Sequence, residues 1–205
     1  MKYILSIIKN IFFPPACISC RKDCGSWLCN KCETNIVFFC KLQKYNYISF
    51  SIFTLFFHSS SMRKLLHGIK YNYYCESATF FGPYIKKGLQ IILKTKSYCI
   101  VPVPISSSRK RERGFDHIIQ ILGKQDNLLY IKRVHYKNPQ MKLNKQERKK
   151  NVKGAFKCDQ TLSPDINYVI FDDVVTTGST MNEIFYELKK CGAKNIVGIA
   201  LSRGL

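Results

Sequence analysis

Residues Val169 to Thr180 read Val-Ile-Phe-Asp-Asp-Val-Val-Thr-Thr-Gly-Ser-Thr, and no other stretch limits the possible fold as strongly. The apolar residues after Tyr168 make a run short enough for a buried parallel strand. Two adjacent carboxylates end that run, a turn of small residues follows, and a helical pattern opens at about Met181. The unit reads as strand, loop, helix.

The loop, entered through Val175, has the composition of an anion cradle. Thr176, Thr177, Gly178, Ser179 and Thr180 can turn backbone N–H groups and hydroxyls toward one phosphate. Gly178 permits a positive φ, and the helix behind it brings its positive end to the same place. Asp172 and Asp173 cannot bind an anion. They are suited to accept hydrogen bonds from the two hydroxyls of a ribose whose 5′-phosphate lies in the loop, and a metal ion held by a pyrophosphate, directly or through water, is a further role. An ordinary helix cap would explain one hydroxyl and leave the acid pair without a reason. The stretch resembles the loop of type I phosphoribosyltransferases that binds phosphoribosyl pyrophosphate (PRPP).

The chain of 205 residues has room for one sizeable α/β domain and a small appendage, and 46% hydrophobic residues exclude a disordered chain. Thirty-three Lys and Arg against thirteen Asp and Glu give a net charge of +20. Such a field favours polyanions, with nucleic acid and anionic membrane as the candidates. Six of the ten cysteines fall in the first 40 residues. Cys17-x-x-Cys20 and Cys29-x-x-Cys32 form two knuckles whose four thiolates complete a closed tetrahedral site, as in structural zinc modules. Cys24 and Cys40 lie close enough in sequence to replace a named ligand. The remaining thiols suit a reducing, cytoplasmic setting. Residues 1–13 read as an amphipathic helix packed on the protein, with membrane-surface contact as the alternative.

Along the chain, 36–57 is rich in aromatic and β-branched residues, with Tyr47 to Phe57 as a strand. Helices are expected at about Met62 to Ile69, Ser77 to Leu93 and His117 to Gly123. Tyr98 to Pro104 reads as a core strand stopped by prolines. A loop carrying Arg109, Lys110, Arg111, Arg113 and Phe115 follows. Between Arg109 and Lys157 stand fifteen Lys and Arg against four Asp and Glu, including Arg148, Lys149 and Lys150. Clustered charge with interleaved aromatics suits a groove for single-stranded DNA, and a solvated basic face is the plainer reading. Lys132 to Lys157 reads as a mobile loop with a short helix. Asn195 to Ser202 is a last strand. Strands alternating with helices imply a parallel sheet whose ligands bind at the strands' carboxyl ends.

The chain as a whole is similar to the ComF family of competence-associated, phosphoribosyltransferase-like proteins. The likeness rests on the cysteine knuckles after a Pro pair, His67-x-x-Lys70-Tyr71, Val101-Pro-Val-Pro104, Arg113-Gly-Phe115, Asn151-Val-Lys-Gly-Ala-Phe156 and the Asp172 to Thr180 loop. The resemblance implies a zinc ribbon over residues 1–45 and a type I phosphoribosyltransferase domain over 46–205, its parallel sheet flanked by helices. It also implies a cytoplasmic role in DNA uptake with a helicase-like partner. Many relatives carry a further C-x-x-C pair where this chain keeps only Cys40. Residues 176–180 would hold the 5′-phosphate, Asp172 and Asp173 the ribose, and Pro104 to Arg113 the pyrophosphate with magnesium. Lys70 is a candidate for a further phosphate contact or a helix-end cation. Two functions remain open: a single-stranded-DNA-handling protein with a PRPP or ribose 5-phosphate pocket, or a working phosphoribosyltransferase of nucleobase salvage.

Overall fold

The computed structural model describes residues 16–45, 48–71, 75–95, 97–134 and 153–204. The amphipathic N-terminal stretch and the basic residues Arg148, Lys149 and Lys150 lie outside the described residues. In chain order the elements are α1 (Asn30–Glu33), β1 (Phe38–Gln43), β2 (Ile52–Phe56), α2 (Ser60–Tyr71), a 3-10 helix (Cys75–Phe81) and α3 (Gly82–Leu93). There follow β3 (Tyr98–Pro102), α4 (Ser107–Arg113), α5 (His117–Leu122), β4 (Lys132–Arg133), β5 (Phe156–Lys157), β6 (Asn167–Val175), α6 (Ser179–Lys190) and β7 (Asn195–Arg203).

The main sheet has the order β1-β2-β7-β6-β3. β2, β7, β6 and β3 are parallel, whereas β1 pairs antiparallel with β2. The sheet is therefore mixed rather than purely parallel. The aromatic-rich segment 36–57 folds into two strands instead of one, because a short connection suffices for an antiparallel neighbour while a parallel one needs a crossover. β1 also places the start of this sheet inside the segment the sequence assigns to the ribbon. On the far side, Leu128 bridges Ile100, so the edge of β3 is covered.

Helices cover both faces. One core joins Leu65, Leu66 and Ile69 of α2, Ile85 of α3 and Ile118 of α5 to Val169, Phe171 and Leu201 of the sheet. The other packs Met181, Ile184 and Leu188 of α6 and Phe156 of β5 on Val101, Ile170 and Ala200. Alternation along β6 serves both cores, as expected of a strand buried on two sides. Cys17, Ile18, Leu28, Cys32 and Ile36 belong to the first core, so the cysteine module and the sheet share one interior.

Local chemistry explains the helix boundaries. α2 carries Met62, Leu65, Leu66 and Ile69 on its buried side, and Ser59 Oγ accepts the Met62 amide at 3.2 Å. The expected helix from Ser77 instead begins as a 3-10 turn and becomes α-helical only at Gly82. Pro83 has no amide to donate inside a helix but fits a first turn. The two ends of the segment Lys132 to Lys157 pair as antiparallel β4 and β5, and the loop with a short helix expected between them lies outside the described residues.

Candidate functional site

Because β2, β7, β6 and β3 are parallel, their carboxyl ends share one edge, and three helix-bearing connections leave from it. These run from β2 to α2, from β3 to α4 and from β6 to α6. Such an edge is where ligands of parallel sheets bind.

The β6–α6 connection is Thr176, Thr177 and Gly178. Gly178 adopts φ +73°, a conformation that favours glycine, and a Cβ there would press on Ile48 Cδ1, the end of a flexible side chain. It is the N-cap of α6 and supplies no side-chain cap; the first turn also holds no acidic residue. Thr177 Oγ1 lies 2.9 Å from Ser179 Oγ, and the Ser179 amide reaches Thr177 Oγ1 at 3.4 Å. The helix end thus points a positive dipole and hydroxyls at the sheet edge. α6 begins at Ser179, earlier than expected, so Ser179 and Thr180 already belong to the helix.

The acids also sit differently. β6 does not stop before them but continues through Val175. Asp173 is 5% exposed; its Oδ2 pairs with Lys70 Nζ from the last turn of α2, and its Oδ1 faces His117 Nε2 across 3.9 Å. Asp172 is partly exposed, and its Oδ1 accepts the Asp173 amide at 2.9 Å. Burial opposes the charge on Asp173, but His117 and Lys70 outweigh it and hold this carboxyl well below the usual range. Burial first, and the neighbouring Asp173 second, push Asp172 well above that range. The surroundings therefore favour charge on Asp173 and disfavour it on Asp172.

Arg113 departs most from its expected place. It closes α4 and is 6% exposed, with its guanidinium turned inward. Its Nη1 donates to His117 Nδ1 at 3.0 Å, its Nη2 donates to the Tyr71 hydroxyl at 3.2 Å, and the group lies 4.8 Å from the Tyr71 ring centroid. Since Arg113 can only donate, His117 Nδ1 accepts and Nε2 carries the hydrogen that faces Asp173. Arg113 Nε is buried without a partner among the described residues. By contrast Arg109, Lys110 and Arg111 are exposed on α4, a helix missed in the sequence and capped by Ser106 Oγ, which accepts the Arg109 amide at 3.3 Å. Phe115 and Pro104 are partly buried beside it.

Sequence reasoning gave no site role to His117, Tyr71, His58 or Ser202. His117 stands four residues after Arg113, across the break between α4 and α5 at Gly114, and that short separation is the signal that could have found it. His58 leaves β2 at the same edge, and its Nδ1 lies 2.9 Å from Ser202 Oγ.

The sulfur ligand atoms of Cys17, Cys20, Cys29 and Cys32 lie within 4.8 Å of one another. Cys24 instead donates to the Ser26 carbonyl at 3.1 Å, and Cys40 belongs to β1, so neither replaces a ligand. Burial raises the Cys17 thiol, yet amides of Cys29, Cys20 and Ser19 bring it down to about 6. The Ser19 hydroxyl favours the Cys32 thiolate, but burial and the neighbouring sulfurs push it up to about 12. Crowded sulfurs competing for negative charge are what a divalent cation relieves, and four thiolates with no open position fit structural zinc.

Fold and site together define an α/β protein with a mixed sheet flanked by helices and a four-cysteine cluster able to hold a metal ion. No protein-family model matches the chain. It is 35% identical over 114 residues to Competence protein F of Haemophilus influenzae, covering 51% of this chain and 49% of that protein. It is 36% identical over 113 residues to DNA utilization protein YhgH of Salmonella typhimurium, covering 52% and 49%. Competence protein ComFC of Bacillus subtilis is 20% identical over 129 residues, 63% of this chain and 54% of that one. The chain spans about half the length of the curated relatives it matches. These likenesses support membership in the broader group of competence and DNA-uptake proteins. Among the described residues no helix is long and apolar enough to cross a membrane.

Proposed function

We propose that this protein handles single-stranded DNA in DNA uptake and carries a 5-phosphoribosyl pocket that takes PRPP or ribose 5-phosphate with magnesium. The observation that carries the pocket is the open N-terminus of α6, with Gly178 in the left-handed region beside the acid pair of β6. Thr176 to Thr180 hold the 5′-phosphate, the acid pair faces the sugar, and Lys70 with the Pro104 to Arg113 segment faces the pyrophosphate. This is a type I phosphoribosyltransferase arrangement. The names of the relatives support the DNA role, as does a net charge of +20 with Arg109, Lys110 and Arg111 exposed on α4. A helicase-like uptake partner and a cytoplasmic setting complete this reading.

An active phosphoribosyltransferase is the second reading. It is favoured by two cations, Lys70 and Arg113, that flank the Asp173–His117 contact on the buried side of the site. Such charges would stabilise departing pyrophosphate.

Calorimetric titration with ribose 5-phosphate and magnesium, alongside fluorescence anisotropy with a labelled oligonucleotide, tests the proposal. Binding of both is expected. Absence of sugar-phosphate binding overturns the pocket, absence of oligonucleotide binding at low salt overturns the DNA role, and pyrophosphate release with one nucleobase moves the assignment to the transferase.

A further inference from the structure

The two adjacent acids differ in what they already hold. Asp173 is 5% exposed and both of its oxygens are directed at protein groups: Lys70 on one side, and His117 across 3.9 Å on the other. Behind His117 stands Arg113, which is fixed in turn by Tyr71. Four elements therefore meet at this carboxylate: β6, the last turn of α2, the end of α4 and the start of α5. Among the described residues Asp172 forms no ion pair. Its Oδ1 accepts the amide of the next residue at 2.9 Å, and it remains partly exposed at the edge where the sugar would lie.

Resting on the pocket reading above, we infer that the two carboxylates divide the work: Asp172 meets the sugar hydroxyls, and Asp173 is a positioning residue that holds Lys70 and His117 in place. A buried carboxylate that gave up Lys70 to receive a hydroxyl would leave an unpaired cation on the partly buried α2 terminus. Sugar binding cannot recover that from one hydrogen bond. Asp172 has no such debt. Its acceptor oxygens reach a hydroxyl without breaking an ion pair, while Lys70, with its side chain 21% exposed, keeps part of its ammonium available for a phosphate oxygen.

The division makes different predictions for different ligands. A site that accepts a hydroxyl rejects the analogue that lacks it, so the wild-type protein should bind ribose 5-phosphate more tightly than 2-deoxyribose 5-phosphate, by about tenfold or more. Asp172→Ala should collapse that ratio toward one while leaving the loop's hold on the phosphate. Asp173→Asn should preserve the ratio. It should instead weaken PRPP more than ribose 5-phosphate, because it releases the cation facing the diphosphate, and Lys70→Met should do the same. Combining Asp173→Asn with Lys70→Met should be no worse than Lys70→Met alone, since residues acting as a unit are non-additive.

The experiment is a set of calorimetric titrations on the full-length, metal-loaded chain, with three ligands against wild type and these four variants. If Asp173→Asn does not fold, the double variant, which removes both charges together, carries the same comparison. Loss of 2-hydroxyl discrimination in Asp173→Asn or in the double variant, with discrimination intact in Asp172→Ala, overturns the inference and leaves the pocket standing. So do additive losses from Lys70→Met and Asp173→Asn. A wild-type protein that binds none of the three ligands overturns the pocket reading, and the inference falls with it.

Discussion

Gly178→Ala is the sharpest perturbation of the proposed anion cradle, because two separate costs can be read from its surroundings. At φ +73° an L side chain sits in the left-handed region, which costs roughly 1–2 kcal/mol. The added Cβ would also press on Ile48 Cδ1, which forces that methyl aside; an off-rotamer shift of this kind costs about 0.5–1.5 kcal/mol. The next neighbour, Ile52 Cδ1 at 3.5 Å, is ordinary contact and adds nothing. Together the variant should lose about 1.5–3.5 kcal/mol, or roughly 3–14 °C in Tm for a domain of this size. In an Ile48→Ala background the steric part should vanish and only the conformational part remain, so the same substitution should cost about 1–2 kcal/mol there. Thermal denaturation of the four proteins measures both, and titration with ribose 5-phosphate reads the cradle itself. A Tm unchanged within about a degree, with unchanged ligand affinity, would refute the reasoning, because neither the backbone conformation nor the close approach could then be as described.

The cysteine module should carry one zinc per chain. Cys17→Ser with Cys29→Ser should lose it, whereas Cys24→Ser and Cys40→Ser should retain it, as elemental analysis of purified protein will show. His58 is held below its ordinary range first by burial and then by Arg63, with Asp173 opposing and Lys70 adding to the depression. Its neutral form is therefore favoured by folding, so the stability it contributes is present above the unfolded value near 6.5 and is lost as pH falls below it. A His58→Gln variant should accordingly show a smaller drop in Tm between pH 7 and 5 than the wild type, and an equal or larger drop would contradict the assignment. Replacing Arg109, Lys110 and Arg111 by Ser should weaken single-stranded DNA binding for all sequences and flatten the log–log salt slope, which is about −0.7 per phosphate contact. An unchanged slope would show that α4 is only a solvated face.

The strand–loop–helix unit was legible because its signals are local. Apolar residues, small residues and glycine follow one another in Val169 to Thr180, and each of them acts on its own neighbourhood. What the sequence hid depends on contacts far apart in the chain. Asp172 and Asp173 look equivalent as a dipeptide, yet Lys70 arrives from residues far upstream and His117 from another helix, and only these contacts separate their roles. Arg113 reads as one of four basic residues in a run. It is buried because Tyr71 and His117 meet it there, and the run itself gives no hint of this. Alternation within 36–57 could not say whether one strand or two would form, since a strand that borders a sheet edge relaxes the demand for burial on both faces. The four-cysteine cluster was legible from spacing alone, but the embedding of its module in the α2 core was not.

That embedding ties the cysteine module to the site through α2. Ser19 stands between the ligands Cys17 and Cys20; its hydroxyl lies 3.0 Å from Ser61 Oγ, and its carbonyl accepts Lys64 Nζ at 2.6 Å. Both partners are in the first half of α2. The last turn of the same helix supplies Lys70 to Asp173 and Tyr71 to Arg113. A helix of 12 residues is about 18 Å long and does not bend easily without a proline or glycine pair, so an anchor at one end limits movement at the other. An ion held by the four sulfurs would fix Ser19 between Cys17 and Cys20. We therefore expect metal on this module to act on the proposed pocket through α2, by bracing the helix that presents Lys70.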